Sequence, residues 1–411
     1  METIYVCGIG MTAFGRFPDK SVKQLTAEAV TEALADADCA LQDVQAAYFS
    51  ASTTGYLQGQ NFVPGQIALR SMGFEGIPMY NLENACASGS SAFNLATQAL
   101  RAGEQDIVLA VGAEKMYIED KARMFSAFDS GWDIEVPEQN KANLLALGEG
   151  VEVPEGTTSP KPYSVFMDVY AAFCRQHMRN FGTTQRQIAA VCAKNHQHSV
   201  HNEKAQFRDA YTIEQVLAAP PITYPLTLPM CAPISDGSAA VILCNEAGLK
   251  KLGGSQRAIR VLASVVQTGS SREASDYENH ITAIAARKLY EKAGVGADEV
   301  DVVEVHDATA MGEIIQAENL QLVRFGEAGP AAERGEFTLG GRVPINPSGG
   351  LESRGHPISA TGLAQIYELV TQLRGEAGAR QVEGARIALQ ENGGGLFGYE
   401  EAVAVLNMFA R

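Results

Sequence analysis

The segment Asn84–Phe93 reads NACASGSSAF and sets one cysteine, Cys86, among alanine, serine and glycine just ahead of a stretch with helical character. Unpaired N–H groups and the positive end of the dipole at a helix start favour a thiolate. The small neighbours Ala85, Ala87, Ser88, Gly89 and Ser90 would let a substrate approach the backbone, as at other nucleophile turns between strand and helix. Free cysteine is also among the most buried residue types, so the segment alone reads either as a nucleophile turn or as a small core residue. In NPSGGLESRGHPISATG (346–362) the Asn-Pro, Gly-Gly and Gly-His-Pro steps impose tight turns and bring His356 to a helix start, as a base or as a turn-stabilising imidazole. HDATA (306–310) ends an apolar strand, which puts His306 at the carboxyl edge of a sheet, where α/β sites form. ENGGGLFG (391–398) follows another strand and offers bare backbone N–H groups, either an oxyanion hole or a plain turn. Thiol, imidazole and bare backbone donors are the components of nucleophilic catalysis.

A different cluster, His196, His198 and His201 in KNHQHSVHN, lacks the i, i+4 spacing that places two ligands on one helix face, and reads as a solvated helix end. No metal site is expected there.

The elements that must position these residues are legible as a weak duplication. Strand-like runs rich in Val, Ile and Ala alternate with Ala/Leu-rich helical segments, the pattern of α/β layers. DVQAAYFSAS (43–52) parallels EVDVVEVHDATA (299–310). After Cys86 a helix with Phe93, Ala96 and Leu100 on one face runs to RAG and a strand, and after His356 a helix with Leu363, Ile366, Leu369 and Leu373 runs to RGEAG and a strand. Cys86 and His356 therefore take equivalent positions at the starts of two related helices. Between residues 116 and about 205 the repeat lapses, and that stretch holds the one tryptophan, Trp132, and the loop-like GEGVEVPEGTTSPKP.

At 411 residues the chain exceeds the size at which one core splits in two. A formal charge of −16 with no basic patch argues against a nucleic-acid partner. Apolar runs such as AAVILC are strand-sized, short of a membrane span, and METIYVCGIG reads as strand and turn, not as a secretory signal. NMFAR lacks a peroxisomal Ser-Lys-Leu address. A cytoplasmic protein is expected. The seven cysteines are scattered without a C-x-x-C pair and read as free thiols.

Taken in order, NACASGSSAF, SDGSAAVIL, VEVHDATA, NPSGGLESRGHPISATGLAQ and the glycine-rich terminal hairpin resemble the thiolase family, and within it the degradative branch similar to the sterol-carrier-protein-type thiolases. The resemblance spans nearly the whole chain. It implies an α/β thiolase fold of two βαβαβαββ halves in five layers, a loop domain over the site, and a homodimer. The expected organisation is 1–115 and 206–255 for the N-terminal half, 116–205 for the loop domain, and 256–411 for the C-terminal half. By the resemblance Cys86 is the nucleophile that takes an acyl group and His356 the base that activates it. His306, with a water, holds the thioester oxygen of the departing enolate, and the backbone of Cys86 with Gly393, Gly394 and Gly395 forms the second oxyanion site. Met116, Phe166, Met167 and Asn346 are expected to bind the acyl group. Coenzyme A is a co-substrate, with no bound cofactor.

The sequence departs from this branch at His306-Asp307-Ala308, where relatives carry His-Asp-Cys, and at Glu391, where ordinary thiolases begin a Cys-x-Gly-Gly-Gly run. No second catalytic cysteine remains. Two readings follow: Glu391 is the acid/base, its pKa raised by burial, or it is a turn residue and water or substrate supplies the proton. Without that cysteine, cleavage is favoured over acetyl-CoA condensation. The expected reaction is thiolysis of a bulky, branched or aromatic 3-oxoacyl-CoA, as in relatives that degrade sterol side chains or aromatic acids, including benzoylsuccinyl-CoA thiolases. The alternatives are a thiolase-like retro-aldolase acting on a 3-hydroxyacyl-CoA and a non-catalytic acyl-CoA-binding scaffold. A small zinc-ribbon/OB-fold accessory subunit is compatible with the resemblance.

Overall fold

The computed structural model describes residues 2–254 and 256–411. Nine strands form one sheet, in the spatial order Met79–Leu82, Ala46–Ser50, Ile107–Glu114, Gly237–Cys244, Ile4–Met11, Ile259–Thr268, Val403–Ala410, Ile387–Gly394 and Val302–Glu304. The antiparallel pair Ile4–Met11 and Ile259–Thr268 is the seam between the two halves. Moving outward from it, each half runs through one further antiparallel partner, then a strand, then a parallel neighbour. In the first half Met79–Leu82 adds an outer parallel strand. In the second, a single parallel bridge from Val303 to Ile345 stands in its place. The duplication read from the motifs is thus a duplication of topology.

Alternating side chains of each strand enter different cores. Val108 and Ala110 join a central core with Ala239, Val241 and Leu243. Ile107, Leu109 and Val111 face the other way with Ala240 and Ile242, against Ala29, Val30 and Ala33 of the helix Val22–Asp36. The central core is filled by the helices Ser88–Ala102 and Thr361–Arg374, whose Phe93, Ala96, Leu100, Leu363, Ile366, Leu369 and Leu373 are fully buried. Full burial of each larger apolar side chain stabilises by about 1.5–3 kcal/mol, so the i, i+3, i+4, i+7 faces lock both helices between the half-sheets. On the far side the helix Ile281–Ala293 and its neighbours cover Val303, Leu389 and Leu406. Helix, half-sheet, helix pair, half-sheet and helix give five layers.

Residues 116–205 contain the helices Lys121–Ser126, Pro137–Ala146, Val165–Phe181 and Gln185–Ser199. The second and third enclose a small core of Leu144, Leu147, Phe166, Val169 and Ala172 that also takes Leu396 from the terminal hairpin. Gln185–Ser199 packs its Ile188, Val191 and Cys192 into the core of the C-terminal half. This corrects the reading of KNHQHSVHN as a solvated helix end. His196 and His198 are buried, His198 Nδ1 lies 3.0 Å from the Asn346 carbonyl oxygen, and His201 alone is exposed. Helical periodicity marks one apolar face; it does not disclose a partner on the other. The free-thiol reading is likewise corrected at two positions. Cys7 and Cys244 form a disulfide between neighbouring strands, a proximity hidden by a sequence separation of 237. Cys39, Cys86, Cys174, Cys192 and Cys231 are free. Among the described residues no helix is long and apolar enough to cross a membrane.

Candidate active site

Strand Met79–Leu82 delivers the chain to a turn in which Ala85 takes a left-handed φ of 48°, a conformation disfavoured for any residue with a Cβ. Local hydrogen bonds hold it. Asn84 N–H donates to Ser88 Oγ at 2.8 Å, Ser88 Oγ donates to the Ala85 carbonyl at 2.6 Å, and Asn84 Nδ2 donates to Ser91 Oγ at 2.8 Å. Cys86 then sits in a single 3₁₀ turn, Ala85–Ala87, that opens the helix Ser88–Ala102. His356 follows Gly355, whose φ of 108° is a glycine conformation, and precedes the 3₁₀ turn Ile358–Ala360 that opens Thr361–Arg374. The equivalence of the two positions extends to this turn.

The duplication brings the two helix starts face to face. One ligand-type atom from each of Cys86, His306 and His356 lies within 4.8 Å of the other two, and the imidazole centroids are 5.2 Å apart. His356 Nδ1 is 2.7 Å from Thr361 Oγ1, and that hydroxyl donates to the Pro357 carbonyl at 3.1 Å. With its own proton so committed, the hydroxyl accepts from Nδ1–H, and this network assigns Nε2 of His356 as the unprotonated nitrogen. Burial, then His306 and Arg354, hold His356 well below the ordinary histidine range, so it is a neutral base. Burial also holds His306 down to about 4, and its Nε2 has no hydrogen-bond partner. A neutral imidazole on a cavity wall can donate to a developing oxyanion.

The thiol does not follow the helix-start argument. Burial, then the charges of Glu114 and Glu83, push Cys86 up to about 12. The resting pair is thiol and neutral imidazole.

Gly394 closes the arrangement. A Cβ there would lie 2.3 Å from the Asn84 carbonyl oxygen and 2.7 Å from Ala87 N, so the strand tip packs directly on the nucleophile turn. Gly394 and Gly395 line the cavity beside Cys86; Gly393 does not, and backs onto Glu401.

This cavity, of about 690 Å³, is also lined by Met116, Phe166 and Met167. Asp236 of the SDGSAA motif fixes Met116 by accepting the N–H groups of Met116 and Tyr117, each at 2.8 Å. Trp132 stacks on Phe166 with centroids 4.9 Å apart. Asn346, expected among the substrate-binding residues, does not reach the cavity. Its side chain accepts from Val305 N–H at 2.9 Å and donates to Glu313 at 3.0 Å, which pins the segment carrying His306. The asparagine follows the polar, turn-rich pattern of a binding loop, but its side chain is fully buried against Val305 and Glu313.

Glu391 requires a second correction. It lies behind His306 instead of on the cavity wall, its Oε2 accepting His306 N–H at 2.9 Å. Burial and the neighbouring Glu401 push its carboxyl well above the usual range, as the burial argument anticipated, yet the proton it holds does not face the cavity. We expect Glu391→Gln, which keeps an acceptor for the His306 N–H, to retain kcat within about threefold. Glu391→Leu should lower it about tenfold by stranding that donor. A hundredfold loss in the glutamine variant, measured by thiolysis rates, would return Glu391 to direct proton transfer.

Sequence reasoning missed a third group. Glu114, at the end of strand Ile107–Glu114, accepts six hydrogen bonds, from Ser52 N–H, the Thr53 hydroxyl, the Thr54 N–H and hydroxyl, and the Ser359 N–H and hydroxyl. It ties the N-terminal half to the turn three residues beyond His356. Its charge at the end of the apolar run IVLAVGAE was the only available signal.

A free cysteine beside two neutral histidines and a glycine strand tip, at the meeting point of duplicated α/β halves, is the arrangement of a thiolase-type acyltransferase. The thiolase N-terminal domain family matches residues 4–215 and the thiolase C-terminal domain-like family matches residues 263–408; the chain belongs to the thiolase family. It is 38% identical over 401 residues to sterol carrier protein 2 of Homo sapiens, covering 95% of this chain and 70% of that protein. It is 36% identical over 414 residues to the acetyl-CoA acetyltransferase of Methanothermobacter thermautotrophicus, covering 100% of both, and 32% identical to the benzoylsuccinyl-CoA thiolase subunit BbsB of Thauera aromatica, covering 95% and 94%. Among solved structures, the Ltp2-ChsH2(DUF35) aldolase shares the fold, with a TM-score of 0.77 at 21% identity over 98% of this chain and 97% of that one.

Proposed function

We propose that this enzyme cleaves a bulky, branched or aromatic 3-oxoacyl-CoA with coenzyme A through an acyl-Cys86 intermediate. The observation that carries the reading is the convergence of Cys86, His306 and His356 on a large cavity walled by Met116, Phe128, Phe166, Met167, Tyr170 and Phe173. A volume of about 690 Å³ exceeds what an acetyl group needs and suits a ring-bearing acyl chain.

His356 Nε2 takes the Cys86 thiol proton as sulfur adds to the 3-keto carbon, and the backbone at Cys86 and Gly395 faces the resulting alkoxide. Collapse breaks the bond between C2 and C3, leaves the acyl group on sulfur, and moves the electron pair into the thioester as an enolate held by His306. Ala308 occupies the place of a second thiol, so the proton returned to C2 is the one His356 carries. His356 then takes the proton of coenzyme A, whose sulfur attacks the acyl-enzyme, and gives it back to Cys86 as that thiolate leaves. One imidazole serves both half-reactions.

The name of the Thauera relative supports an aromatic acyl group. The exposed edge strand Met79–Leu82, with Tyr80 52% exposed and Phe62 80% exposed nearby, supports pairing with a second copy. The paired name of the aldolase supports a small zinc-ribbon/OB-fold accessory subunit as a further partner.

The test is product analysis on a panel of short, branched and aromatic 3-oxoacyl-CoA esters with coenzyme A, beside the matching 3-hydroxyacyl-CoA esters. Two CoA thioesters from the bulky 3-oxo substrates are expected. Aldehyde or ketone release from the 3-hydroxy esters alone would replace the thiolase reading with a retro-aldolase. Conversion of neither class would leave an acyl-CoA-binding scaffold.

A further inference from the structure

The cavity has a second character besides its aromatic wall. Where it meets the C-terminal half, four side chains form a polar ring with one loosely made edge. Gln316 Nε2 donates to Glu401 Oε1 at 3.0 Å, Asn319 Nδ2 donates to Gln316 Oε1 at 3.2 Å and lies 3.1 Å from His280 Nδ1, and His280 Nε2 faces Glu401 Oε2 at 3.4 Å. Gln316, Asn319 and His280 are each more than nine-tenths buried. All four line the cavity, with Gln316 and Asn319 on the helix Ala310–Asn319 and Glu401 on the hairpin beside Gly393. The catalytic steps use none of them.

The ring is complete at every edge but one. His280 Nδ1 accepts from Thr282 N–H at 3.2 Å as well as from Asn319, so the proton of this imidazole is on Nε2. Burial and the Arg272 charge hold His280 down to about 3, which keeps it neutral with one proton to give. Glu401 Oε2, its opposite number, is buried and makes no hydrogen bond, with only this 3.4 Å approach to His280 Nε2. The open edge therefore presents one donor and one acceptor side by side. A hydroxyl oxygen can accept from the first and donate to the second at once, which a ketone or a hydrocarbon cannot do.

The charges narrow the ligand further. Arg272 is the one Lys or Arg on the cavity wall among the described residues, and it is spent on Glu400 at 2.5 Å and on the carbonyls of Glu273, Asp276 and Tyr399, each at 3.2 Å. An acyl carboxylate would meet Glu401 and Glu400 with no free cation to offset them.

We propose that Glu401 and His280 form a subsite for a hydroxyl carried on the acyl group, so that the substrates are hydroxylated, non-acidic 3-oxoacyl-CoA esters. The proposal rests on the thiolase reading above and adds to it the chemical class of the acyl chain. Its test is a set of ring-bearing 3-oxoacyl-CoA esters of one carbon skeleton, with hydrogen, hydroxyl or carboxylate at successive positions away from C3, compared by kcat/KM for thiolysis. At one position the wild type should favour hydroxyl over hydrogen by about 10- to 100-fold, the range for leaving a buried polar pair unsatisfied, and should disfavour carboxylate.

Glu401→Gln places an amide N–H where Oε2 accepts, and the hydroxyl-to-hydrogen ratio should fall to about one. A ratio cancels any loss common to both esters, so a general defect in the variant does not imitate this result. Equal rates for hydrogen and hydroxyl at every position, a preference for carboxylate, or an unchanged ratio in Glu401→Gln overturns the subsite while leaving the thiolase reading intact. Absence of thiolysis for every ester overturns both.

Discussion

Cys86→Ala protein mixed with a 3-oxoacyl-CoA in the absence of free coenzyme A should show no increase in intact mass, whereas the wild type gains the mass of one acyl group. Turnover should fall by at least about 10⁴-fold, because loss of a nucleophile removes the covalent route and leaves only what binding and oxyanion contacts supply. The expectation depends on geometry more than on residue type. Five free cysteines are described, but Cys39, Cys174 and Cys192 are buried, and Cys231, though it lines the same cavity, is not in the group with His306 and His356. An adduct that persisted in Cys86→Ala would transfer the nucleophile's role to Cys231, the other free thiol on that wall.

His356→Ala should lower the acylation rate by about 10²–10⁴-fold, the usual contribution of a positioned base, and should change its response to pH. With Cys86 pushed up to about 12, roughly one thiol in 10⁵ is ionised at pH 7 unless a base acts within the step. In the variant the rate should therefore climb about tenfold for each pH unit from 7 to 10, as the thiolate population does. The wild type should be flat over that span, since His356 is held well below the ordinary histidine range and is already neutral. Its acylation should decline only as pH falls towards about 4, where His306 takes a proton. Stopped acylation reactions read by mass would resolve both profiles. A His356→Ala rate that stayed flat with pH would mean that the thiol finds another base.

Both predictions follow from one feature of the duplication. Two helices that begin in equivalent turns pack against each other with their starts adjacent, and the same small residues that admit a substrate also let the turns approach. The tip of strand Ile387–Gly394 packs against the nucleophile turn so closely that a methyl group at Gly394 has no room. Glu114, bonded to Ser52, Thr53, Thr54 and Ser359, crosses between the halves at that point. Either dipole or burial could dominate the thiol, and here burial wins. The helix start gives an orientation to Cys86 while desolvation and two nearby carboxylates keep it protonated.

The amino-acid sequence by itself determined the fold and named the candidate catalytic residues. Cys86, His306 and His356 stand in motifs whose turn residues and apolar flanks are local properties of the chain, and the periodic faces at Phe93, Ala96 and Leu100 and at Leu363, Ile366, Leu369 and Leu373 fix which way two helices bury. Only the tertiary structure decided which polar residues face the cavity. Glu391 and Glu401 are both acidic residues of one glycine-rich hairpin, yet the first lies under His306 and the second on the cavity wall; Asn346 turns inward, and Cys7 meets Cys244 from 237 residues away. The physical reason is that burial and hydrogen-bond partners arise between segments distant in sequence. Periodicity can name the face a residue occupies, but the desolvation and the partner that set its chemistry belong to whatever the rest of the chain packs against that face.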